Sequence, residues 1–549
     1  MTLNPRWPGI LGLFLLVGIF IAPILLIPNA HRGTSEWVFY DAKGNLQYKA
    51  DARGNHIIDF SHAGYADGGV AIPIVPIQLT VTPSGGDDTA AIQSALSVVE
   101  SMTPGPNDFR GAVLLQSGNF TVSTPLRLGK SGVVLRGNGS GVGGTVLTMT
   151  GPPFRLLMVG GESSTNRSNT VAMTDNYVPV GATSFRVATT AGFNVGDTIQ
   201  VHRPVTKAWI ELLGMDKLVR NGKPQTWISP GSNIFTNRVV TAIAGNQLTI
   251  DAPLTDSFDA QFLNPPGGQV SKSTYPGRIS KVGVEHLAIV APGQIRNGSQ
   301  YSAFGVDSVI DAWIRDVRIQ DTQNSVNIDR DAQRVTVDNV RVVHTYRQLD
   351  SAAPADFALT GTQLLINNCS VTGMGNTWPF VTQNLATGPI VLLKCFADDR
   401  GFGAHQRWAT GVLCDSATFP KTYTGDKTGV EFSNRGNFGS GHGWSAAWSV
   451  AWNVVTRSLA VQNPPGSQNW AIGSVGQILT KSAPGDPNKL MPDGIYDSLG
   501  TPVTPSSLYL AQLKQRLGLP ALNAIGYADV DGSPFTGDGT VGLMSATAS

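Results

Sequence analysis

The sequence predicts an all-β fold in which short strands stack into a solenoid. The chain has 549 residues, which is too long for one ordinary domain unless the architecture grows by adding repeats. Its 63 glycines and 41% hydrophobic residues are typical of many short strands joined by tight turns. From residue 282 onward, short β-branched segments with alternating apolar residues recur along the chain. Together these features indicate a repeat protein built from strands.

The recurring segments begin 18 to 30 residues apart and are punctuated by Gly, Asn and Asp. They start at residues 282, 312, 335, 364, 390, 410 and 428, and read VGVEHLAI, AWIRDVRI, VTVDNVRV, LLINNCSV, IVLLKCFAD, TGVLCDSA and TGVEFSNRG. One unit is too small to bury its own apolar face, so neighbouring units must stack. Stacking with a step of about 25 residues predicts a parallel β-helix. Cys369, Cys395 and Cys414 fall on successive units, which indicates an inward ladder of small buried side chains.

Three segments depart from the repeat. Residues 85–101 read as a capped amphipathic helix, with Asp87 or Asp88 as N-cap, which would shield the first coil. Residues 506–526 carry leucines near helical spacing and predict a C-terminal helical cap. Between 169 and 276 the repeat is lost, and alternating short strands predict a β-rich insertion. The predicted organisation is a leader over 1–30, a segment with the capping helix and first coils over 31–168, the insertion over 169–276, the main β-helix with the site over 277–480, and a tail over 481–549.

The amino terminus predicts export. Arg6 precedes an uncharged apolar run from residue 7 to residue 28, the pattern of a secretory signal peptide or a signal anchor. The run is also long enough to anchor the chain in a membrane, and the sequence leaves open whether it is removed. The net charge is only +1, so the chain lacks the excess of positive charge that is typical of proteins that bind nucleic acid. We therefore expect a secreted or cell-surface monomer that does not bind nucleic acid.

The chain resembles a known superfamily in several segments. These are the helix at 85–101, the following GAVLLQSGNFTVSTPLRLGKSGVVLRGNGSG and GTVLTM, and the later HQRWATG, GSGHGWSAAW and QNWAIG. In these segments it is similar to the pectate-lyase-like superfamily of single-stranded right-handed parallel β-helices, including secreted members. The resemblance spans most of the chain apart from the leader. It implies the fold and its right-handed coil, but not the bond that is cleaved, because one fold supports many activities.

Two short stretches, GAHQRWATG at 403–411 and NRGNFGSGHGWSAAW at 434–448, concentrate His, Arg and Trp in a chain with only 14% charged residues. In a β-helix, residues one coil apart lie about 4.8 Å apart, so side chains from successive units can converge. We expect His405 and Arg407 to alternate outward around Gln406. The predicted catalytic strip comprises His344, Tyr346, Asp398, Asp399, His405, Arg407, Arg435 and His442. The predicted substrate-binding residues are Trp378, Arg400, Trp408, Asn434 and Trp444.

These residue types favour a polysaccharide lyase that acts on uronates by β-elimination. Arg407 or Arg435 would neutralise the uronate carboxylate, because a guanidinium matches a carboxylate in shape and charge. His405, His442 or Tyr346 would serve as base and acid. Only Asp398-Asp399 is conspicuous among carboxylates in this region, so the sequence does not support calcium, and we predict no metal or cofactor.

Two alternatives remain open from the sequence. The first is a glycoside hydrolase, because Asn327-Ile328-Asp329, Asp398-Asp399 and Gly441-His442-Gly443 resemble a scattered polygalacturonase pattern. However, Asp329 and Asp399 would lie nearly three coils apart, where that family uses adjacent coils, so Asp398 and Asp399 would have to act as acid and base by themselves. The second alternative is a surface protein that binds glycans through the same tryptophans, Trp378, Trp408 and Trp444, and cleaves nothing.

Overall fold

The computed structural model describes residues 32–293, 300–345, 355–373, 378–420, 429–483 and 486–533. In this part of the chain most strands pair in parallel with the strands one coil earlier and one coil later. The Cα partners run in register through Val282, Ala312, Val335, Leu364, Ile390 and Val412. The predicted parallel β-helix is therefore confirmed, as is the register predicted for the first five repeats.

Each coil has three sides, which we call sides A, B and C in chain order. Side A contains Ile77–Val81, Gly111–Leu115, Val133–Arg136, the first halves of Ile279–Val290, Val309–Gln320 and Gln333–His344, and then Thr362–Asn367, Thr387–Leu393, Ala409–Asp415, Ala446–Ala447, Val450–Trp452, Trp470–Ile472 and Ile495–Asp497. Side B contains Gly118–Val122, Thr145–Met149, the second halves of the same three long strands, Ser370–Gly373, Phe396–Ala397, Thr418–Phe419 and the start of Val455–Val461. Side C contains Leu126–Leu128, Arg155–Gly160, Ser302–Asp307, Val326–Ile328, Ala355–Leu359, Trp378–Thr382, Phe402–Ala404, Val430–Phe432 and the end of Val455–Val461. The strand Val475–Ile478 pairs in parallel with Val455–Val461.

The two last repeats predicted from the sequence need correction. The segment at 410 enters side A two residues later than predicted, because Ile390 pairs with Val412. The segment at 428 does not lie on side A, since Val430 pairs with Phe402 and Leu459 on side C. Strands on different sides of a coil share the same alternation of apolar residues, so this alternation alone does not distinguish them.

A left-handed residue turns the chain from side A to side B in coil after coil. This position has φ between 49° and 59° in the stacked residues His286, Asp316, Asn339, Asn368, Lys394, Ser416 and Asn453. Several of these are Asn or Asp, which tolerate the left-handed region better than most residues because their short polar side chains can bond locally. A single such residue therefore makes the turn from side A to side B in each of these coils.

The interior of the coils is one continuous apolar core. Inward side chains from all three sides, such as Val335 on side A, Val342 on side B and Phe304 on side C, are completely buried in it. Cys369, Cys395 and Cys414 belong to the same core as free, buried thiols, which confirms the predicted inward ladder. Burial raises the pKa of the Cys395 thiol to about 12.

The insertion is antiparallel, unlike the coils. Its main sheet contains, in spatial order, Asn166–Ala172, Gln269–Thr274, Thr198–Pro204, Asn233–Ala244, Gln247–Ile250 and Ser184–Arg186. Short pairs join Tyr177–Val178 to Phe258–Asp259 and Val219–Arg220 to Lys223–Pro224. The insertion shares a second apolar core with the outward side chains of side A, including Leu365, Val391 and Leu413. This core fixes the insertion against the coils.

Helices are few. They comprise Thr89–Ser101, Lys207–Leu212, Ala260–Leu263, Leu508–Leu517 and Leu519–Ala524, with 3-10 turns at Tyr65–Asp67, Pro106–Asp108 and Met215–Lys217. The first helix buries Ile92, Leu96 and Val99 in the core of the coils. Leu508–Leu517 instead packs in the second core, against the outer face of side A. Further short strand pairs join Gly33–Thr34 to Val503–Thr504, Val38–Tyr40 to Leu46–Tyr48, and Ser482–Ala483 to Asp486–Leu490.

Within the ranges given above, no helix has both the length and the apolar content needed to cross a membrane. The apolar run at 7–28, on which the predicted leader depends, lies outside the described residues.

Candidate functional site

The site is built at the corner where the chain turns from side C to side A. The strand Phe402–Ala404 ends just before His405, and Arg407 and Trp408 both adopt the left-handed region, with φ of 55° and 64°. The prediction that His405 and Arg407 alternate along a strand is therefore wrong. The next coil stabilises this bend, because the amides of Arg407 and Trp408 donate to the carbonyls of His442 and Trp444.

Two imidazoles meet at this corner. The rings of His405 and His442 pack edge to face, with 4.7 Å between their centroids and 82° between their planes. His405 is half-buried, and its Nδ1 lies 2.9 Å from Oε1 of Gln383 one coil earlier. His442 is 9% exposed, and its buried Nδ1 has no hydrogen-bond partner in the described part of the chain.

Two guanidiniums border the histidine pair. Nη1 of Arg435 donates to the carbonyl of His405 at 2.6 Å. Nη2 of Arg407 donates to the carbonyl of Ser440 at 3.0 Å and to its hydroxyl at 2.7 Å. Both Arg side chains are half-buried, so they retain contact with solvent. The backbone thus fixes both cations while leaving part of each accessible to a ligand.

The environment keeps both imidazoles neutral at neutral pH. Burial and the charges of Arg435 and Arg407 lower the pKa of His405 to about 4. Burial, Arg435, His405, Arg407 and Arg220 lower the pKa of His442 to about 3. A neutral imidazole carries one lone pair that can accept a proton or a hydrogen bond.

Trp378 adjoins this group and is also half-buried. Its ring centroid lies 4.8 Å from the guanidinium carbon of Arg400 and 5.7 Å from that of Arg435. The ring packs over Gly403, where an added Cβ would come within 3.1 Å of the indole. Of the residues predicted from the sequence, the structure thus brings together His405, His442, Arg407, Arg435, Trp378 and Arg400, although Arg400 is only 2% exposed.

Trp408, Trp444 and Asn434 are buried, which is incompatible with the substrate-binding role predicted for them. Both indoles are 1% exposed and face the insertion. Nε1 of Trp408 donates to Asp256 at 2.6 Å, and Nε1 of Trp444 donates to the carbonyl of Leu213 at 3.2 Å. Asn434 is 8% exposed, and its side-chain oxygen accepts from the backbone of its own turn. These three side chains therefore cannot contact a substrate at the surface.

His344, Asp398 and Asp399 lie at a different corner, between sides B and C. His344 is 6% exposed and binds Asp356, with 3.1 Å between Nε2 and Oδ2. Burial alone would lower the pKa of His344, but Asp356 outweighs it and raises the value. Asp398 accepts from the amide of Gly373 at 3.0 Å, and Asp399 follows it on the same connection. Tyr346 lies outside the described residues. His344 is thus a structural ion-pair partner, and the single strip predicted from the sequence is divided between two corners.

Sequence reasoning missed a pair of carboxylates on neighbouring coils. Asp307 and Asp329 directly follow the paired residues Val306 and Ile328 on side C. The pKa of Asp307 is raised by burial and by the charges of Asp329 and Asp331, and that of Asp329 is raised by burial and by Asp331. In the sequence, the segments FGVD at 304–307 and VNID at 326–329 both end in Asp, and aligning them would have revealed this pair. Asp329 thus has a carboxylate neighbour one coil away, whereas Asp398 and Asp399 lie three coils away.

Among the residues with described positions, no group of three His, Cys, Asp or Glu side chains could hold a metal ion.

Comparisons with known proteins leave the family and the activity of the chain open. No protein-family model and no curated protein matches the chain. Among solved structures, the chain is similar to the Gp54 tailspike of Acinetobacter baumannii bacteriophage AP22 in complex with a capsular saccharide (TM-score 0.32, 9% identity, 72% of this chain and 55% of that one). It is also similar to the tailspike gp49 of Pseudomonas phage LKA1 (0.35, 12%, 76% and 72%) and to PfbA, a surface adhesin of Streptococcus pneumoniae (0.35, 12%, 78% and 80%). The chain spans about half of the first tailspike. Likenesses of this size concern the fold alone.

Proposed function

We propose that the chain cleaves an acidic polysaccharide by β-elimination, because its parallel β-helix carries a neutral histidine pair beside accessible guanidiniums. The observation that carries this proposal is the edge-to-face contact of His405 and His442, bordered by Arg407 and Arg435. Such a group combines a proton acceptor with cations that recognise carboxylates.

Arg435 is the best candidate to bind the uronate carboxylate. Only its Nη1 makes a hydrogen bond within the described ranges, to the carbonyl of His405, so its other donors are available. Arg407 belongs to the bend itself, where Ser440 fixes its guanidinium. A guanidinium binds a carboxylate through two parallel hydrogen bonds and stabilises the charge that develops when the C5 proton leaves.

His405 is the proposed base. If Nδ1 carries the proton and donates to Oε1 of Gln383, the lone pair of Nε2 is left to accept the C5 proton. The electrons of the C5–H bond form a C4–C5 double bond, the C4–O bond breaks, and the leaving oxygen takes a proton from the imidazolium or from water. His442 lies beside it as a second neutral imidazole that can donate or accept a hydrogen bond.

A bound carboxylate would also make the base stronger. Arg435 and Arg407 contribute to the low pKa of both imidazoles. A uronate that pairs with these cations offsets their charge, so the pKa of each His rises when substrate binds. The site would thus gain basicity only in the complex with an acidic sugar.

Incubation of the full chain with a panel of uronate polysaccharides tests this proposal. Elimination creates a double bond conjugated to the carboxylate, which appears as ultraviolet absorbance. We expect absorbance with one or more uronate polymers, none with a neutral polymer, and none with the His405→Gln variant. Absence of absorbance with every uronate polymer would refute elimination.

Glycoside hydrolysis is the second candidate, and the neighbouring carboxylates Asp307 and Asp329 favour it. Their raised pKa values suit a general acid, and hydrolases use two carboxylates around the scissile bond. In this case products would contain an added water, and Asp329→Asn would abolish cleavage while His405→Gln would not. Binding of a glycan without any cleavage would favour the surface-binding alternative. We further propose that the protein acts outside the cytoplasm, because of the apolar run at 7–28.

A further inference from the structure

The insertion contributes a cationic hairpin to the wall of the histidine site. Val219–Arg220 pairs with Lys223–Pro224, and Asn221 and Gly222 between them have φ of 51° and 73°. Positive φ at two successive residues is the geometry of a tight hairpin turn, for which Asn-Gly is the preferred sequence. This hairpin exposes Arg220 and Lys223 to solvent.

Hydrogen bonds attach the hairpin to the loop that carries His442. Arg220 and Gln225 both donate to the carbonyl of Gly439, Gln225 at 3.1 Å. In the other direction, Nδ2 of Asn437 donates to the carbonyl of Val219 at 2.9 Å. Nε1 of the buried Trp227, just beyond the hairpin, donates to the carbonyl of His442 itself at 3.1 Å. Arg220 is therefore held at a fixed place next to the site rather than on a free loop.

Two polar atoms at this junction lack partners. Nδ1 of His442, in a side chain that is nine-tenths buried, makes no hydrogen bond in the described part of the chain, and neither does Oε1 of Gln225. Gln225 packs against Gly441, the residue before His442. Buried polar groups are nearly always satisfied, so these two atoms leave unused hydrogen-bonding capacity where the hairpin meets the loop of His442.

We propose that Arg220 forms a second anion subsite, which binds the acidic group of a further sugar when an acidic polysaccharide occupies the histidine site. This inference rests on the proposed function for the class of substrate, an acidic polysaccharide, but it does not require that the polysaccharide is cleaved. Arg220 from the insertion and Arg407 from the coils donate to the neighbouring carbonyls of Gly439 and Ser440, shortly before His442, so one polymer with regularly spaced carboxylates can engage both. The insertion would then determine that the substrate is a polyanion and not a single acidic sugar.

Binding measurements with the full chain test the subsite. The probes are hexasaccharides of galacturonate and of mannuronate, together with the corresponding monosaccharides, studied by calorimetry at several salt concentrations. For the hexasaccharide that binds more tightly, we expect Arg220→Gln to raise Kd about tenfold, the effect of losing one charge-assisted hydrogen bond. The variant should leave monosaccharide affinity unchanged and reduce the salt dependence of hexasaccharide binding.

The matched control is Arg186→Gln, which removes an exposed Arg from another strand of the insertion and should change neither affinity. Arg220→Lys keeps the charge and should recover most of the lost affinity, which separates charge recognition from loosening of the loop. Equal affinity of Arg220→Gln and wild type for the hexasaccharide would overturn the subsite, as would an equal loss for hexasaccharide and monosaccharide, or no binding of either hexasaccharide. Hexasaccharide binding that depends on Arg220, together with no cleavage of any uronate polymer in the panel, would refute elimination and leave the subsite intact.

Discussion

His405 and His442 lie in neighbouring coils, and their rings meet at 4.7 Å between centroids because the bend at Arg407 and Trp408 is hydrogen-bonded to the coil that carries His442. The contact therefore follows from the stacking of the β-helix. Replacing either imidazole should affect chemistry far more than folding.

We expect His405→Gln and His442→Gln to lower kcat on a uronate polymer, with the larger loss at His405, the proposed base. Removal of a general base typically costs about 10²–10⁴-fold in rate. Steady-state kinetics measure the loss, and circular dichroism should show unchanged secondary structure. Full activity in both variants would exclude the pair from catalysis.

The two imidazoles should remain neutral well below the usual pKa of 6.5. In NMR spectra of the histidine-labelled protein, we expect His405 to titrate near pH 4 and His442 near pH 3. Arg435→Gln should raise both pKa values, because it removes a nearby positive charge, and Arg186→Gln should change neither. Ordinary titration near pH 6.5 in the folded protein would contradict the environment described here.

The same low pKa values predict how stability depends on pH. The unfolded chain takes up these protons near pH 6.5, whereas the folded chain takes them up only near pH 4 and pH 3. Below pH 6.5 the unfolded chain therefore binds more protons than the folded chain. The free energy of unfolding is highest above pH 6.5 and decreases as the pH is lowered through this range. His405→Gln should make the melting temperature less sensitive to pH between 6.5 and 4, and an unchanged pH dependence would argue against a depressed pKa.

Two tryptophans that the sequence did not distinguish should respond differently to substitution. Trp408 is 1% exposed and packs at 5.0 Å between ring centroids from Trp209 of the insertion. Trp408→Ala should therefore cost about 3–5 kcal/mol in the free energy of unfolding. Trp378→Ala should cost less in stability and weaken glycan binding about tenfold, since an accessible ring can stack on a sugar. Denaturant unfolding and calorimetry separate the two effects, and equal stability losses would contradict the assignment.

The sequence allowed the coils to be predicted because their signal is local. Val335 and Leu364 lie in segments whose alternating apolar residues show which side chains face inward, and their register follows from aligning those segments. The segment at 428 was misplaced because a strand on side C shows the same alternation as one on side A.

The site was only partly predictable, for a related reason. HQR and GHG stood out because charge is scarce in this chain, and they do meet. The burial of Trp408 and Trp444 depends on the insertion, whose contacts are distant in sequence and leave no local pattern. The same holds for Arg220, which lies more than 200 residues from its partner Gly439.

A buried ion network should stabilise the first coils. Glu285 is completely buried, with Oε1 2.5 Å from Nε of Arg136 and Oε2 2.6 Å from Nε of Arg315, and it also accepts from Nε1 of Trp313. Glu285→Gln should cost about 3–5 kcal/mol in unfolding free energy, because it leaves two guanidiniums without their counter-charge. The exposed control Glu162→Gln should change stability by less than about 0.5 kcal/mol. Comparable unfolding midpoints for the two variants would contradict this account.

The measurement that tests the central claim most directly is the mass of the fragments that the full chain releases from a uronate polysaccharide. Fragments that lack the elements of water relative to hydrolysed oligosaccharides, and that disappear with His405→Gln, are the predicted result. Fragments that have gained water and persist in that variant would contradict elimination at the histidine pair and assign the chemistry to Asp307 and Asp329.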